Sequence, residues 1–301
     1  KYEKEQALEE AKHQEEMSLV AEREKRQKFI SYGMAGGLAL TGLFFLVLLN
    51  RFKITRLQKN IIQQKNKHIT ASIQYAKRIQ EASMTSSQYM DKVLDDYFIY
   101  FQPKDIVSGD FYWVHKLKND NIMVALADCT GHGVPGGFMS MLATALLNEI
   151  IVGNGVTKVN KVLDIMRSQL IKGLHQYEGK VEAADGLDIA LLLIDEKNRK
   201  IDFAGAGHSI YIAGNGDCNE TKGDRYPVGY LFGIEKPFTM KQIKLTDGET
   251  IYLTSDGFLD QFGGGKDVKK FGQDAFLQLL TSMKDRPMAE QKTKVEKKLK
   301  D

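Results

Sequence analysis

Two aspartates, Asp110 and Asp128, stand at the outer ends of two strand-like runs in the stretch SGDFYWVHKLKNDNIMVALADCTGHG, residues 108–133. The polar break at 118–121 carries the Asn and Asp of a hairpin turn. If the runs fold back antiparallel, Asp110 faces Asp128, Tyr112 faces Leu126 and Val114 faces Val124. Directly opposed residues on one face of a ladder hold their Cβ atoms roughly 5 Å apart. Two carboxylates that close repel unless one keeps a proton or a cation lies between them. Mg²⁺, Mn²⁺ and Ca²⁺ prefer oxygen ligands, so the pair can begin a metal site. The other reading is a pair of strand-end aspartates capping turns in solvent. A register slip of one residue would put the two on opposite faces.

A third carboxylate, Asp256, follows the run ETIYLTS, and Gly257 would let the chain leave a strand sharply. Asp110, Asp128 and Asp256 are thus expected at strand ends beside glycine-containing loops, an all-oxygen set suited to Mg²⁺ or Mn²⁺. No convincing Ser/His/Asp order or activated cysteine accompanies them. GHGVPGG lacks the lysine and the spacing of a P-loop. His132 in CTGHG can donate a proton to a leaving oxygen or hold its turn by a backbone hydrogen bond. His208 in GAGHS reads as structural. Asp185 and Asp188 in ADGLD read as turn and strand-end residues that can also support the site from behind.

The elements that must position these residues begin far upstream. The chain has 301 residues and a net charge of +3, too balanced to imply nucleic acid. Its two cysteines, Cys129 and Cys218, offer no disulfide framework or zinc spacing and fit a reducing compartment. Residues 1–28 are rich in Glu, Lys, Gln and Ala and read as a charged, solvated helix. The chain starts at Lys without a signal-peptide pattern, so this helix is expected to be the end of a truncated upstream region. Residues 29–50 carry no charge, and about 20 apolar residues suffice for a helix to cross a bilayer. Lys and Arg flank both ends, so charge decides little about orientation.

Residues 51–95 read as a linker, helical over RFKITRLQKNIIQQKNKHITASIQYAKRIQEAS, with Ile62, Ile69, Ile73 and Ala76 on an incomplete heptad stripe. A weak, signal-carrying homodimer helix is one reading and a solvated connector the other. From 96 onward the texture is short strands and turns. YFIYF reads as a strand, the segment after Pro135 as a helix, and VNKVLDIMRSQLIKGLHQ as a second one. GLDIALLLIDEKNRKIDFAGAG reads as strand, turn, strand, and SIYIAGNGDC holds another tight turn. Asp247-Gly248 marks a further hairpin, and FGQDAFLQLLTSM and the Lys-rich tail are helical. The pattern is α+β, helices packed on antiparallel sheets.

PKDIVSGDFYW, ADCTGHGVPGGFMS, FAGAGHSIYI, PVGYLFGI and LTDGETIYLTSDGFLDQFG occur in that order. Together they resemble the SpoIIE-like branch of the bacterial PPM (protein phosphatase 2C type) metal-dependent serine/threonine phosphatases, in a membrane-anchored form. The resemblance implies an antiparallel β-sandwich flanked by helices over 96–301 and two divalent metal ions, Mn²⁺ or Mg²⁺. It implies that Asp128 bridges them, that Asp110 and Asp256 are further ligands, and that Cys129 offers its backbone carbonyl rather than its thiol. Such a pair of ions activates a shared water and neutralises an in-line phosphoryl transition state. It further implies a closing acidic pair in a final strand; no such motif precedes Asp301, so the domain is expected to be C-terminally incomplete. The implied substrate is a phosphorylated signalling protein such as an anti-sigma-factor antagonist. The implied setting is a bacterial cytoplasmic membrane, crossed once, with the phosphatase domain in the cytoplasm. The alternative is a catalytically silent signalling or scaffold domain on a membrane-linked helical dimer.

Overall fold

The computed structural model describes residues 2–176, 185–214, 217–231, 236–263 and 269–299. The chain divides into two compact units, Lys1–Thr70 and Ala71–Asp301. The described part of the first is helix throughout and exposed throughout, the bulk of α1 (Tyr2–Ser83). Its uncharged segment is long and apolar enough to cross a membrane. A second stretch of that length and character, Gly133–Gly153, is half buried in the other unit, as a core helix is.

The second unit continues with α2 (Ser87–Val93), β1 (Phe111–Lys116), β2 (Ile122–Cys129) and α3 (Gly133–Leu147), which passes into a π-helical turn, Asn148–Gly153. Next come α4 (Val159–Gly173), β3 (Gly186–Asp195), β4 (Lys200–Ala206), β5 (Ser209–Gly214), β6 (Asp217–Lys222) and β7 (Val228–Gly229). β8 (Lys241–Lys244), β9 (Thr250–Tyr252), α5 (Asp256–Leu259), β10 (Phe262–Gly263), β11 (Lys269–Lys270), α6 (Gly272–Thr281) and α7 (Met288–Lys298) complete it. The larger sheet has the order β1-β2-β3-β4-β8, with β7 also on β3; the smaller has the order β6-β5-β9. All named strand pairs are antiparallel.

Side-chain alternation sorts the strands into four layers. Leu187, Ile189 and Leu191 of β3 pack with Met139, Ala143 and Leu163 of α3 and α4 on one face of the larger sheet. Ala190 and Leu192 of the same strand, with Phe203 of β4, meet Ile210 and Ile212 of β5 between the sheets. The far face of β5 and β9, Tyr211 and Tyr252, packs against Phe276 and Leu280 of α6 and Val295 of α7. β3 is covered on both faces, which is why its sequence, LDIALLLID, reads as a nearly continuous apolar run. The architecture is the expected α+β one: an antiparallel β-sandwich between helical layers.

The hairpin forms in the expected register, Tyr112 opposite Leu126 and Val114 opposite Val124. Its turn closes with the Leu117 N–H on the Asn121 carbonyl at 2.8 Å, and Asp120 takes φ of 69°. Two other local readings need correction. YFIYF forms no strand and joins no ladder among the described residues. It is pinned by alternate side chains instead: Tyr97 and Ile99 pack beside Met90 and Val114, Phe98 and Tyr100 beside Tyr211 and Phe276. The Asp247-Gly248 turn exists, with Gly248 at φ 84°, but it is no hairpin. β8 pairs with β4 in one sheet and β9 with β5 in the other, so the turn carries the chain across the sandwich.

Phe203 is fully buried between the sheets. Phe203→Ala should cost about 3–5 kcal/mol of unfolding free energy, read from the denaturant midpoint of the full chain in detergent. A loss below about 1 kcal/mol would mean the two sheets do not share a core there.

Candidate functional site

The hairpin register continues outward past β1: the Cys129 N–H points to the Gly109 carbonyl at 3.4 Å. Asp110 therefore stands opposite Asp128. Alternation puts both on the face turned toward the smaller sheet, because Phe111, Ala127 and Cys129 face the helices. On its other side Asp128 is the ladder partner of Asp188. The fourth carboxylate comes from a different direction. Asp256 was expected at the end of a strand, but β9 stops at Tyr252 and Asp256 opens the short helix α5. Gly257 accordingly sits inside a helix, not at a strand exit. Ser255 joins the two segments by donating its hydroxyl hydrogen to Asp110 Oδ2 at 2.7 Å.

Negative charge dominates this end of the sandwich. Asp128 is pushed up to about 8 from 3.8 by burial, then by Asp110 and Asp256 beside it. Asp188 is raised by burial and by Asp256. Among the described residues no Lys or Arg makes an ion pair with any of the four. Asp110 and Asp256 both neighbour Asp128, yet no three such side chains among the described residues are already drawn into one ligand cage. Uncompensated carboxylates, all oxygen donors, fit a hard divalent cation. They fit a softer metal poorly, since the nearby Cys129 thiol is buried and burial drives its pKa upward.

Glycines bring the backbone into the site. A Cβ on Gly109 would stand 2.9 Å from the carbonyl oxygens of both Cys129 and Gly131. Only a residue without a side chain lets the strand before Asp110 lie that close to the loop after Asp128. Gly207, at φ 64°, has the Asp188 carboxylate where its own Cβ would be. Thr130 locks the same loop to the start of β3, its N–H and hydroxyl both on the Gly186 carbonyl at 2.9 and 3.0 Å.

The histidines divide. His132 does not hold its turn by a backbone bond: Nδ1 lies 2.8 Å from Asp105 Oδ2, and the side chain is 75% exposed just ahead of α3. Asp105 was not singled out from the sequence, though it lies inside the PKDIVSGDFYW motif. His208 is 9% exposed, and its Nε2 has no hydrogen-bond partner among the described residues. Burial lowers its pKa, while Asp110 and Asp256 pull it back up. A wholly structural reading of His208 therefore leaves out its position beside two of the carboxylates. Asp185 contributes a backbone carbonyl, which accepts from the buried Gln176 amide at 2.8 Å.

A free aspartate loses its proton near 3.8 and the folded Asp128 keeps it to about 8. Between those limits the folded chain binds more protons than the unfolded one, so stability falls as pH rises. In excess chelator the protein should melt progressively lower from about pH 4 to pH 8. Asp128→Asn, with no proton to lose, should flatten that decline. Identical pH slopes in thermal melts of the two proteins would mean that the carboxylate is not strained.

With this geometry in view, comparison with known proteins is specific. A sequence model described as Stage II sporulation protein E (SpoIIE) matches residues 118–301. The SiaA-PP2C domain of Pseudomonas aeruginosa is 31% identical, with a TM-score of 0.69 over 78% of this chain and 90% of that one. The PP2C phosphatase domain and regulatory fragment of SpoIIE from Bacillus subtilis aligns at 20% identity and TM-score 0.50, over 64% of this chain and 53% of that one. The RsbU and RsbW domains of Rv1364c from Mycobacterium tuberculosis align at 20% and 0.50, over 65% and 51%. The last two likenesses speak for the fold alone. No curated protein matches the chain. The match over more than half the chain, together with the SiaA likeness, establishes that this chain belongs to the SpoIIE family and carries its PP2C-type phosphatase fold.

Proposed function

We propose that the second unit is a metal-dependent protein serine/threonine phosphatase acting on a phosphorylated signalling protein. The observation that carries the reading is the convergence of Asp110, Asp128 and Asp256, without a cationic partner, in a chain of this family. Asp110, Asp128, Asp256 and the Cys129 carbonyl are the groups that would hold Mn²⁺ or Mg²⁺. Two such ions, when bound, supply an activated water and neutralise charge on the phosphoryl group. The chain's own residues do the rest. Asp128, with Asp110 and Asp256 as electrostatic neighbours, would be the ligand common to both ions. Ser255 orients Asp110 through its 2.7 Å hydrogen bond. Asp105 holds the exposed His132 ring by Nδ1, which leaves Nε2 free to give a proton to the departing seryl or threonyl oxygen.

Upstream, residues 1–28 are a charged helix, 29–50 a single membrane span, 51–95 a signalling helix and 96–301 the phosphatase domain. The cytoplasmic side is the one on which a phosphorylated signalling protein would meet the catalytic domain. The helix exposes Ile62 and Ile69, part of an interrupted stripe suited to a weak homodimer. A weak stripe can adopt two packings a few kcal/mol apart. Substrates of the anti-sigma-factor-antagonist type suit such a signalling output.

The full chain should hydrolyse a phosphoserine protein with Mn²⁺ or Mg²⁺ and stop in excess chelator. Asp128→Asn should lose activity by several orders of magnitude, because it would be a ligand to both ions. Asp110→Asn and Asp256→Asn should be partly rescued by high Mn²⁺. His132→Ala should lower kcat about 100-fold without moving the Mn²⁺ requirement. Undiminished turnover in chelator, or in Asp128→Asn, would sink the two-metal reading. Separately, inserting one, two or three residues after Arg56 rotates the downstream helix by about 100° each, whereas seven nearly restore its phase. Activity and signal response should follow that phase. If all four insertions behave alike, the helix is only a tether.

A further inference from the structure

β1 lies at the edge of its sheet, with β2 as its ladder partner. Its outer backbone groups would otherwise be left to water or to a foreign strand. Two side chains from the segment ahead of it bond them instead, and a third bonds Ser108 just before the strand. Gln80, near the end of α1 and 3% exposed, uses its amide like a peptide unit. Its Oε1 accepts from the Ser108 N–H at 3.1 Å, and its Nε2 donates to the Ser108 carbonyl at 2.6 Å. Thr85 Oγ1 accepts from the Val114 N–H at 2.9 Å and donates to the Val114 carbonyl at 3.3 Å. The Tyr89 hydroxyl accepts from the Lys116 N–H at 3.1 Å.

The Gln80 contact differs from the other two in what it reaches. Its Nε2 also donates to Ser140 Oγ of α3 at 2.6 Å. One buried amide thus ties together α1, the segment before Asp110 and the helix that follows the Asp128 loop. Ser108 is the last anchor before the carboxylate: its hydroxyl accepts from the Asp110 N–H at 3.1 Å. Between them stands Gly109, already packed on the carbonyls of Cys129 and Gly131. Any shift of Ser108 is therefore passed to Asp110. A leucine would fill similar space but leave the buried Ser108 N–H without its acceptor, so the amide both satisfies that group and holds it in place.

We propose that Gln80 is a positioning residue for divalent-cation binding: through Ser108 it fixes the Asp110 carboxylate opposite Asp128. This inference rests on the reading of Asp110 and Asp128 as metal ligands. The test titrates Mn²⁺ into the metal-free full chain in detergent, following free Mn²⁺ by electron paramagnetic resonance, beside thermal melts of each variant. Gln80→Leu should weaken Mn²⁺ binding about tenfold or more, and Ser140→Ala should weaken it by less. In an Asp110→Asn background the Gln80→Leu effect should vanish, because the lever then moves nothing. If Gln80→Leu fails to melt cooperatively, Ser140→Ala and its Asp110→Asn double variant decide alone. An unchanged Mn²⁺ affinity with a lowered melting temperature would overturn the proposal and leave Gln80 a fastener of the helix. An equal loss with and without Asp110 would overturn it as well. Wild-type binding that is absent, or indifferent to Asp128→Asn, would instead bring down the metal reading and this inference with it.

Discussion

Mutual repulsion among carboxylates that the backbone forbids to separate is the constraint on which the site depends. Ladder pairing fixes Asp128 between Asp110 and Asp188 on one face of one sheet. None of the three can turn away without a register slip, and a slip would expose every buried residue of β2 to the wrong face. Asp256 adds a fourth charge from the other side of the sandwich. The outcome is an aspartate that keeps its proton far above its ordinary range, which is the electrostatic condition a divalent cation relieves.

Such strain is sustainable only where the surrounding fold is over-determined. Here the strands that carry Asp128 and Asp188 are buried on both faces, by α3 and α4 on one side and by the smaller sheet on the other. The loops that complete the site are held by close backbone approach and by one threonine side chain. Gly109 lies against two carbonyls, and Gly207 lies against the Asp188 carboxylate. Thr130 bonds the loop after Asp128 to the first residue of β3. The acidic end is therefore rigid where it must resist repulsion. His132, by contrast, stands exposed on its Asp105 support.

The edge of the larger sheet raises the same question of control by different means. A further strand beside β1 would have fixed its height by main-chain bonds. Side chains of Gln80, Thr85 and Tyr89 take that place. Side-chain bonds of this kind are individually modest, about 1 kcal/mol each, so the position of β1 is set by contacts that a small helix movement can alter.

The sequence by itself determined the elements and one decisive register. The polar break at 118–121 and the alternation on either side of it placed Asp110 opposite Asp128, because period-two patterning and turn chemistry are local properties. The four helices of the second unit with clear apolar periodicity or capping signals, and the β3–β4 hairpin, were legible for the same reason. What sequence could not supply was the partner of each strand. The Asp247-Gly248 turn has every local mark of a hairpin, yet its strands enter different sheets, since pairing is chosen by which edges β4 and β5 leave open. YFIYF alternates like a strand but is held by side chains lodged in two separate clusters. Asp256 reached the site from a helix start rather than a strand end. The bonds of Asp105 to His132 and of Gln80 to Ser108 span 27 and 28 residues and leave no periodic trace. Only the closing of the sandwich brought those groups together, because contact between distant residues is a property of packing and not of pattern.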